Sequence, residues 1–261
     1  KTAELIAEEM RRDGGIITAA DLGRYKPVWR EPVTSTYRGY TLLTMPPSSS
    51  GGVTVTETLN ILEGFPTVPP FGSADYAHVL GSAHQRAFVD RNEKLADPAF
   101  ASVPMQQLTD KTYAQKLRAT IGRERATPTS TIAKAMREGM QTTHYSVADA
   151  HGNAVATTTT LNALYGSGVY VRGGGFFMND EMDDFAAAPG KPNMFGLVQG
   201  EANAIQPGKR MLSAMSPTIV LDRDGGLLMV VGSRGGPRII TSTSQVILNV
   251  LDQHMILSDA V

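Results

Sequence analysis

Leu5, Ile6 and Met10 recur at helical spacing with charged residues between them. This pattern predicts an amphipathic helix over residues 1–13, stopped by Gly14-Gly15. Thr18 can cap a short helix over residues 19–23. Alternation rich in Thr and Tyr then predicts a hairpin, Val33–Tyr37 and Tyr40–Thr44, turning at Arg38-Gly39. Pro46-Pro47-Ser48-Ser49-Ser50-Gly51-Gly52 reads as a turn-forming loop before a helix over residues 53–62. A longer helix is expected over Ala74–Lys94, ended by Asp97-Pro98, and another over residues 109–119. Residues 121–141 are polar and aperiodic and read as a mobile surface segment.

From Thr142 onward the pattern switches to a period of two. Residues 142–149 and Ala154–Thr160 alternate and are β-branched, with His151-Gly152-Asn153 as the turn between them. Short strands are expected at residues 176–179, after the Arg172-Gly173-Gly174-Gly175 turn, and at Thr218–Leu221 and Leu227–Val231 around Asp224-Gly225-Gly226. Gly235-Gly236-Pro237 leads into a helix over residues 238–254. Helices first, strands next, then a helix suit a sheet-on-sheet core with helices outside, an α+β arrangement, better than a doubly wound parallel sheet.

Composition mainly excludes. The 261 residues are 41% hydrophobic and 19% charged, enough for a sizeable core. A net charge of −1 gives no basic surplus for nucleic acid, and no apolar run approaches the length of a membrane segment. The absence of cysteine excludes disulfides, thiolate metal sites and cysteine catalysis. His78, His84, His144, His151 and His254 make no metal-ligand spacing, and His78 and His84 read as ordinary polar positions of a long helix. There is no G-x-S-x-G elbow, phosphate loop, dinucleotide fingerprint or H-E-x-x-H. No metal and no organic cofactor is implied. The chain opens inside or just before a helix and ends soon after Val246-Ile247-Leu248-Asn249-Val250-Leu251, which suits a part of a longer protein.

The candidate chemistry centres on Gln141-Thr142-Thr143. A threonine can serve as sole nucleophile when it is the first residue of a chain, because its free α-amine is then the base for its own hydroxyl. A cut between Gln141 and Thr142 would make it so. Taken alone, a Thr-Thr pair opening an alternating stretch is more often simply the edge of a strand.

The surrounding motifs bear on that choice. Thr142-Thr143-His144-Tyr145-Ser146-Val147 resembles the start of the small subunit of γ-glutamyltranspeptidases. Thr158-Thr159-Thr160-Leu161-Asn162, Asn179-Asp180-Glu181-Met182-Asp183-Asp184-Phe185, Met211-Leu212-Ser213-Ala214-Met215-Ser216-Pro217-Thr218-Ile219-Val220 and Gly232-Ser233-Arg234-Gly235-Gly236 resemble later motifs of that subunit, in the same order. Met45-Pro46-Pro47-Ser48-Ser49-Ser50-Gly51-Gly52 and Asp90-Arg91 with Asp97-Pro98 resemble the large subunit. The resemblance covers nearly the whole chain.

The resemblance implies an N-terminal-nucleophile hydrolase with a four-layer αββα sandwich, here a partial chain. Residues 1–141 would be the C-terminal part of the large subunit and 142–261 the small-subunit part, forming one αββα domain as a heterodimer after autocatalytic cleavage. Thr142 would attack the carbonyl of Gln141, then the γ-glutamyl amide of glutathione or a related donor. Water, an amino acid or a peptide would accept the γ-glutamyl group. The Thr160 hydroxyl would set the geometry of the nucleophile. Thr160 and Asn162, two positions apart, would project from one strand face. The amides of Gly235 and Gly236 would face the oxyanion, although a plain strand-to-helix turn reads the same way.

Asn162, Glu181 and Asp184 would hold the donor's ammonium, against the alternative of a solvated acidic turn. Ser213 would hold its α-carboxylate, with a family arginine from further upstream that lies outside this chain. Ala214 stands where the family usually has a second serine; its N–H can still donate, and the lost hydroxyl contact is worth about 0.5–1.5 kcal/mol. Phe195, in Pro189-Gly190-Lys191-Pro192-Asn193-Met194-Phe195-Gly196, stands in the lid where many bacterial members carry tyrosine, so a looser lid is expected. Bacterial relatives are periplasmic or secreted. Competing readings are an acylase for a glutaryl β-lactam side chain, a poly-γ-glutamate transpeptidase, and an inactive, unprocessed fragment.

Overall fold

The computed structural model describes residues 1–128 and 142–261. Its strands are β1 (Val33–Tyr37), β2 (Tyr40–Thr44), β3 (Thr142–Ala148), β4 (Ala154–Thr160), β5 (Tyr170–Val171), β6 (Phe176–Phe177), β7 (Thr218–Leu221) and β8 (Leu227–Val231). The main helices are α1 (Thr2–Asp13), α2 (Ala19–Arg24), α3 (Gly51–Glu63), α4 (Ala74–Lys94), α5 (Met105–Leu108), α6 (Lys111–Ala119) and α7 (Arg238–Leu251).

The β1–β2 hairpin closes through Arg38 and Gly39, both at positive φ (51° and 86°), the conformation of a tight two-residue turn. β2 pairs antiparallel with β7, and β7 with β8, giving one sheet in the order β1-β2-β7-β8. This sheet draws its strands from both sides of Thr142. Leu42, Val220 and Met229 pack in one core with Leu59, Ile61 and Leu62 of α3 and Ile240, Ile247 and Leu248 of α7. The β3–β4 hairpin packs on β8 and β7. Helices, first sheet and second sheet thus follow one another as in an αββα sandwich, the fold class read from the sequence.

Several boundaries moved for identifiable reasons. α3 begins at Gly51, two residues before the expected start. A Cβ at Gly51 would lie 2.2 Å from the Met215 carbonyl oxygen, and one at Gly52 2.2 Å from that of Met45. The glycines let the first turn press between these two segments. Asp110 caps α6 by accepting from the Tyr113 N–H, so the helix starts at Lys111 rather than 109. The strand expected over residues 176–179 is only Phe176–Phe177, paired with β5, which is too short to show a period. α7 stops at Leu251 instead of 254: His254 turns to φ 54° and the Met255 N–H closes on the Asn249 carbonyl at 2.9 Å, while the Asp252 carboxylate accepts from Tyr37 Oη at 2.6 Å and Arg38 Nε at 3.0 Å. The segment expected over residues 121–141 falls outside the described residues from 129 on, Gln141 included.

His84 is not an ordinary polar position. It is buried between α3 and α4, with Nδ1 3.5 Å from Thr58 Oγ1, and burial pushes its pKa down to about 4. It is therefore a neutral core residue.

Glu57 of α3 is 1% exposed, and Tyr113 and Lys94 bind its neighbour Asp90 at 2.6 Å each. Burial, then the hydrogen bond and charge of Asp90, push the Glu57 carboxyl up to about 10. A raised acid costs nothing below its unfolded value and an increasing amount as pH climbs toward its folded value. Glu57→Gln is expected to leave thermal stability near wild type at pH 5 and to exceed it progressively toward pH 9. Each kcal/mol is worth about 2–4 °C in Tm for a domain of this size. Thermal melts of the full-length protein across that range check this; parallel curves would contradict it.

Candidate active site

The β3–β4 register sets Thr142 opposite Thr160. Thr142 Oγ1 donates to Thr160 Oγ1 at 3.4 Å, and Thr142 is only 7% exposed. The Thr160 hydroxyl also accepts the Asn162 N–H at 2.9 Å. Asn162 does not continue the strand face, as its spacing suggested. β4 ends at Thr160, and Asn162 turns to φ 74°, held by that N–H bond. Its side-chain amide reaches the Asp180 carbonyl (3.4 Å) and Met194 Sδ (3.3 Å).

His144, two residues past Thr142 on the same face, braces the loop after β8. Its Nδ1 lies 2.8 Å from Thr158 Oγ1 and its Nε2 3.2 Å from Ser146 Oγ. Partial burial lowers its pKa, which favours the neutral ring. A Cβ at Gly232 would lie 2.2 Å from His144 Cε1, so only glycine lets the loop dock there. The loop leads to Gly235 and Gly236, both at positive φ (115° and 56°), and then into α7.

Phe195 lies against this turn. Its ring would be 3.1 Å from a Cβ at Gly236, it is 5% exposed, and it joins the main core. Asn193 Oδ1 accepts from the Phe195 and Leu197 N–H groups at 3.0 Å each. The ring thus has an apolar seat in place of a hydroxyl contact, and the preceding residue, Met194, meets the Asn162 amide.

Glu181 and Asp184 share one turn of 3₁₀ helix. Burial raises both carboxyls, and Glu181, which also feels the Asp184 charge and hydrogen bond, is raised the further. Arg91 opposes the rise at Asp184. Glu181 Oε2 is buried without a hydrogen-bond partner, leaving an acceptor for an incoming donor. The turn is half-buried at Glu181 and Asp184 and exposed at Met182 and Asp183. Asp180 Oδ1 accepts the Ala163 N–H at 2.9 Å and ties the turn to the Asn162 bend.

Ser213 reaches the same region through other residues. Ser50 donates to the Ser213 carbonyl from its N–H (2.8 Å) and its hydroxyl (2.6 Å). Arg91 Nε in turn donates to Ser50 Oγ at 2.9 Å. Ser213 Oγ accepts the Met215 N–H at 3.2 Å, while Ala214 packs on the main core.

The motif reading singled out the Asp90-Arg91 pair without assigning it a task. It missed Asn203, which is 1% exposed. Asn203 Nδ2 donates to the Asp184 carbonyl at 2.8 Å and to Gln199 Oε1. Its Oδ1 accepts the Leu212 N–H at 3.1 Å. One amide thus joins the acidic turn, the end of the lid and the segment entering Ser213. It lies in an aperiodic stretch with no sequence signal. Among the described residues, no cluster of His, Asp and Glu could hold a metal ion, and no helix is long and apolar enough to cross a membrane.

The family model for γ-glutamyltranspeptidase matches residues 1–261. The chain belongs to the γ-glutamyltranspeptidase family. It is 48% identical over 262 residues to the glutathione hydrolase proenzyme of Escherichia coli strain K12, covering 99% of this chain and 45% of that protein. It is 40% identical to the acylase ACY 1 proenzyme of Pseudomonas sp. strain SE83, covering 100% of this chain and 45% of the relative. Among solved structures, it resembles a cephalosporin acylase from Bacillus halodurans with a TM-score of 0.77 and 30% identity, covering 97% of this chain and 43% of that one. The chain therefore spans about half the length of these γ-glutamyltranspeptidase relatives.

Proposed function

We propose that the full-length protein cuts itself between Gln141 and Thr142 and then transfers γ-glutamyl groups through Thr142. In the first step, Thr142 Oγ attacks the Gln141 carbonyl carbon, the C–N bond breaks, and water hydrolyses the resulting ester. The product carries a free α-amine on Thr142. That amine takes the hydroxyl proton as Oγ attacks the γ-carbonyl of the donor. The proton passes to the leaving amine, and a γ-glutamyl ester of Thr142 remains. Water, an amino acid or a peptide then accepts the acyl group.

The observation that carries this reading is the hydroxyl pair across β3–β4. Thr160 accepts from Thr142, which fixes the nucleophile's rotamer and aims its lone pairs. The backbone amides of Gly235 and Gly236 are assigned to the oxyanion, where a donor is worth about 2.7–4 kcal/mol. Asn162, Glu181 and Asp184 are assigned to the donor's ammonium, Ser213 and the Ala214 N–H to its carboxylate, and Phe195 to the lid. Residues 1–141 and 142–261 would belong to the two subunits of the cleaved heterodimer, in a periplasmic or secreted protein.

The 40% identity to an acylase favours a second reading, hydrolysis of a glutaryl amide. The two differ in whether the donor carries an α-ammonium. Paired assays of the full-length protein on a γ-glutamyl anilide and a glutaryl anilide separate them. The Asp184 carboxylate, with the unpaired Glu181 oxygen beside it, favours the γ-glutamyl compound by about 10²–10³ in kcat/KM. Equal rates, or a preference for the glutaryl compound, would establish the acylase reading instead.

A further inference from the structure

Among the described residues, Arg91 is the largest side chain that is almost fully enclosed, at 1% exposed. It projects from α4 onto Ser50, which in turn binds the Ser213 carbonyl of the segment after Thr142. A guanidinium is costly to bury without ionic contacts. Here Nε donates to Ser50 Oγ at 2.9 Å and one terminal nitrogen to Asn92 Oδ1 at 2.8 Å, both neutral acceptors. Burial lowers its pKa only to about 10, so it is a cation at neutral pH. The carboxylate it influences is Asp184, whose ionised form the Glu181 hydrogen bond and then the Arg91 charge favour against burial and the neighbouring Asp180 and Asp183 charges.

We propose that Arg91 is a positioning residue for the donor's amino-acid head. It locks Ser50, and through Ser50 the Ser213 backbone, on the carboxylate side, and supplies an enclosed positive charge to the acidic turn on the ammonium side. This inference rests on the γ-glutamyl reading above. It adds that one side chain from the residues before Thr142 sets both halves of a pocket formed by the residues after it. Ser50 supplies the geometric link, since its hydroxyl accepts from Arg91 and donates to the Ser213 carbonyl at 2.6 Å. Neither Arg91 nor Ser50 touches the donor in this scheme.

The test uses the full-length processed protein with the variants Arg91→Met, Arg91→Lys and Ser50→Ala. Three quantities are measured: donor KM and kcat, normalised to titrated active sites, and the Ki of L-glutamate as a competitor between pH 5 and 8. L-Glutamate carries the same head group and reports binding without chemistry. Arg91→Met is expected to raise donor KM about tenfold or more, about 1.4 kcal/mol, with kcat within about threefold of wild type.

Its L-glutamate affinity should also begin to fall at a higher pH, by about one pH unit. Losing the cation raises the Asp184 pKa, and Asp184 binds ammonium only when ionised. Arg91→Lys keeps the charge without the Nε contact, so it should hold the wild-type pH profile while KM rises. Ser50→Ala should raise KM a fewfold, again without moving the profile.

A purely structural Arg91 would lower Tm in Arg91→Met and leave KM and the pH profile of Ki unchanged, which would overturn the proposal. If Arg91→Met fails to fold, the other two variants decide: wild-type KM in both would overturn it equally. Wild-type protein that does not turn over a γ-glutamyl donor would sink the underlying reading instead, a result separate from any variant's.

Discussion

Thr142→Ala, made in the full-length protein, is expected to leave the chain uncut and to reduce γ-glutamyl transfer by roughly 10⁴-fold or more, the scale for removing a nucleophile that works as a unit with its base. The alanine removes both the attacking oxygen of the self-cleavage and that of the acyl transfer. The two losses are separable. Thr142→Ser keeps an oxygen and an α-amine and loses only the methyl group, so it should process and turn over at a reduced rate. Thr160→Val keeps the shape opposite Thr142 but removes the acceptor at 3.4 Å. It should lower kcat with little change in KM, because the nucleophile's orientation matters in the transition state more than in binding. Turnover assays on protein of known cleavage state check all three variants. An active Thr142→Ala would contradict the assignment outright.

The second large effect concerns the acidic turn. Asp184→Ala is expected to raise donor KM by about 10²-fold or more, the range for removing one partner of an enclosed charge pair. Glu181→Gln should cost less, because burial and the Asp184 charge already favour the protonated Glu181. The sign with pH follows. Asp184 is raised by burial, so its stabilisation of a bound ammonium is present above its folded pKa and is lost as pH falls through it. Donor KM should therefore rise on acidification in the wild type and be insensitive to pH in that range in Asp184→Asn. Steady-state kinetics from pH 5 to 8 check this. An Asp184→Asn protein whose KM still climbs steeply at low pH would move the ammonium site elsewhere.

How much of this was legible in the sequence varies with the range of the interaction. Local patterns were clear: β1, β2, β7, β8 and α4 fall on their expected residues, because alternation, helical spacing and turn residues such as Arg38-Gly39 are short-range signals. The β3–β4 hairpin followed from two alternating strands around a turn, while the Thr142–Thr160 contact was implied by the family resemblance and its register became visible only in the structure. What escaped was set at long range. The docking of Asp252, at the end of α7, on Tyr37 and Arg38, more than 200 residues away in sequence, has no local signal. The Asn162 side chain departs from its strand face because its N–H turns back to Thr160. Arg91 acts through Ser50 and Asn203 through Asp184, partners far outside one helical turn or strand pair, and no periodicity encodes that. The acidic turn could be read as solvated until burial and the unpartnered Glu181 oxygen were seen.

The central claim is that Thr142 becomes a chain terminus. The most direct measurement is intact-mass spectrometry with N-terminal sequencing of the full-length protein after incubation, beside Thr142→Ala. The account predicts two pieces in the wild type, the second beginning at Thr142-Thr143-His144, and a single uncut chain in the variant. An active protein whose wild-type chain stays whole, or a cut that persists in Thr142→Ala, would contradict it.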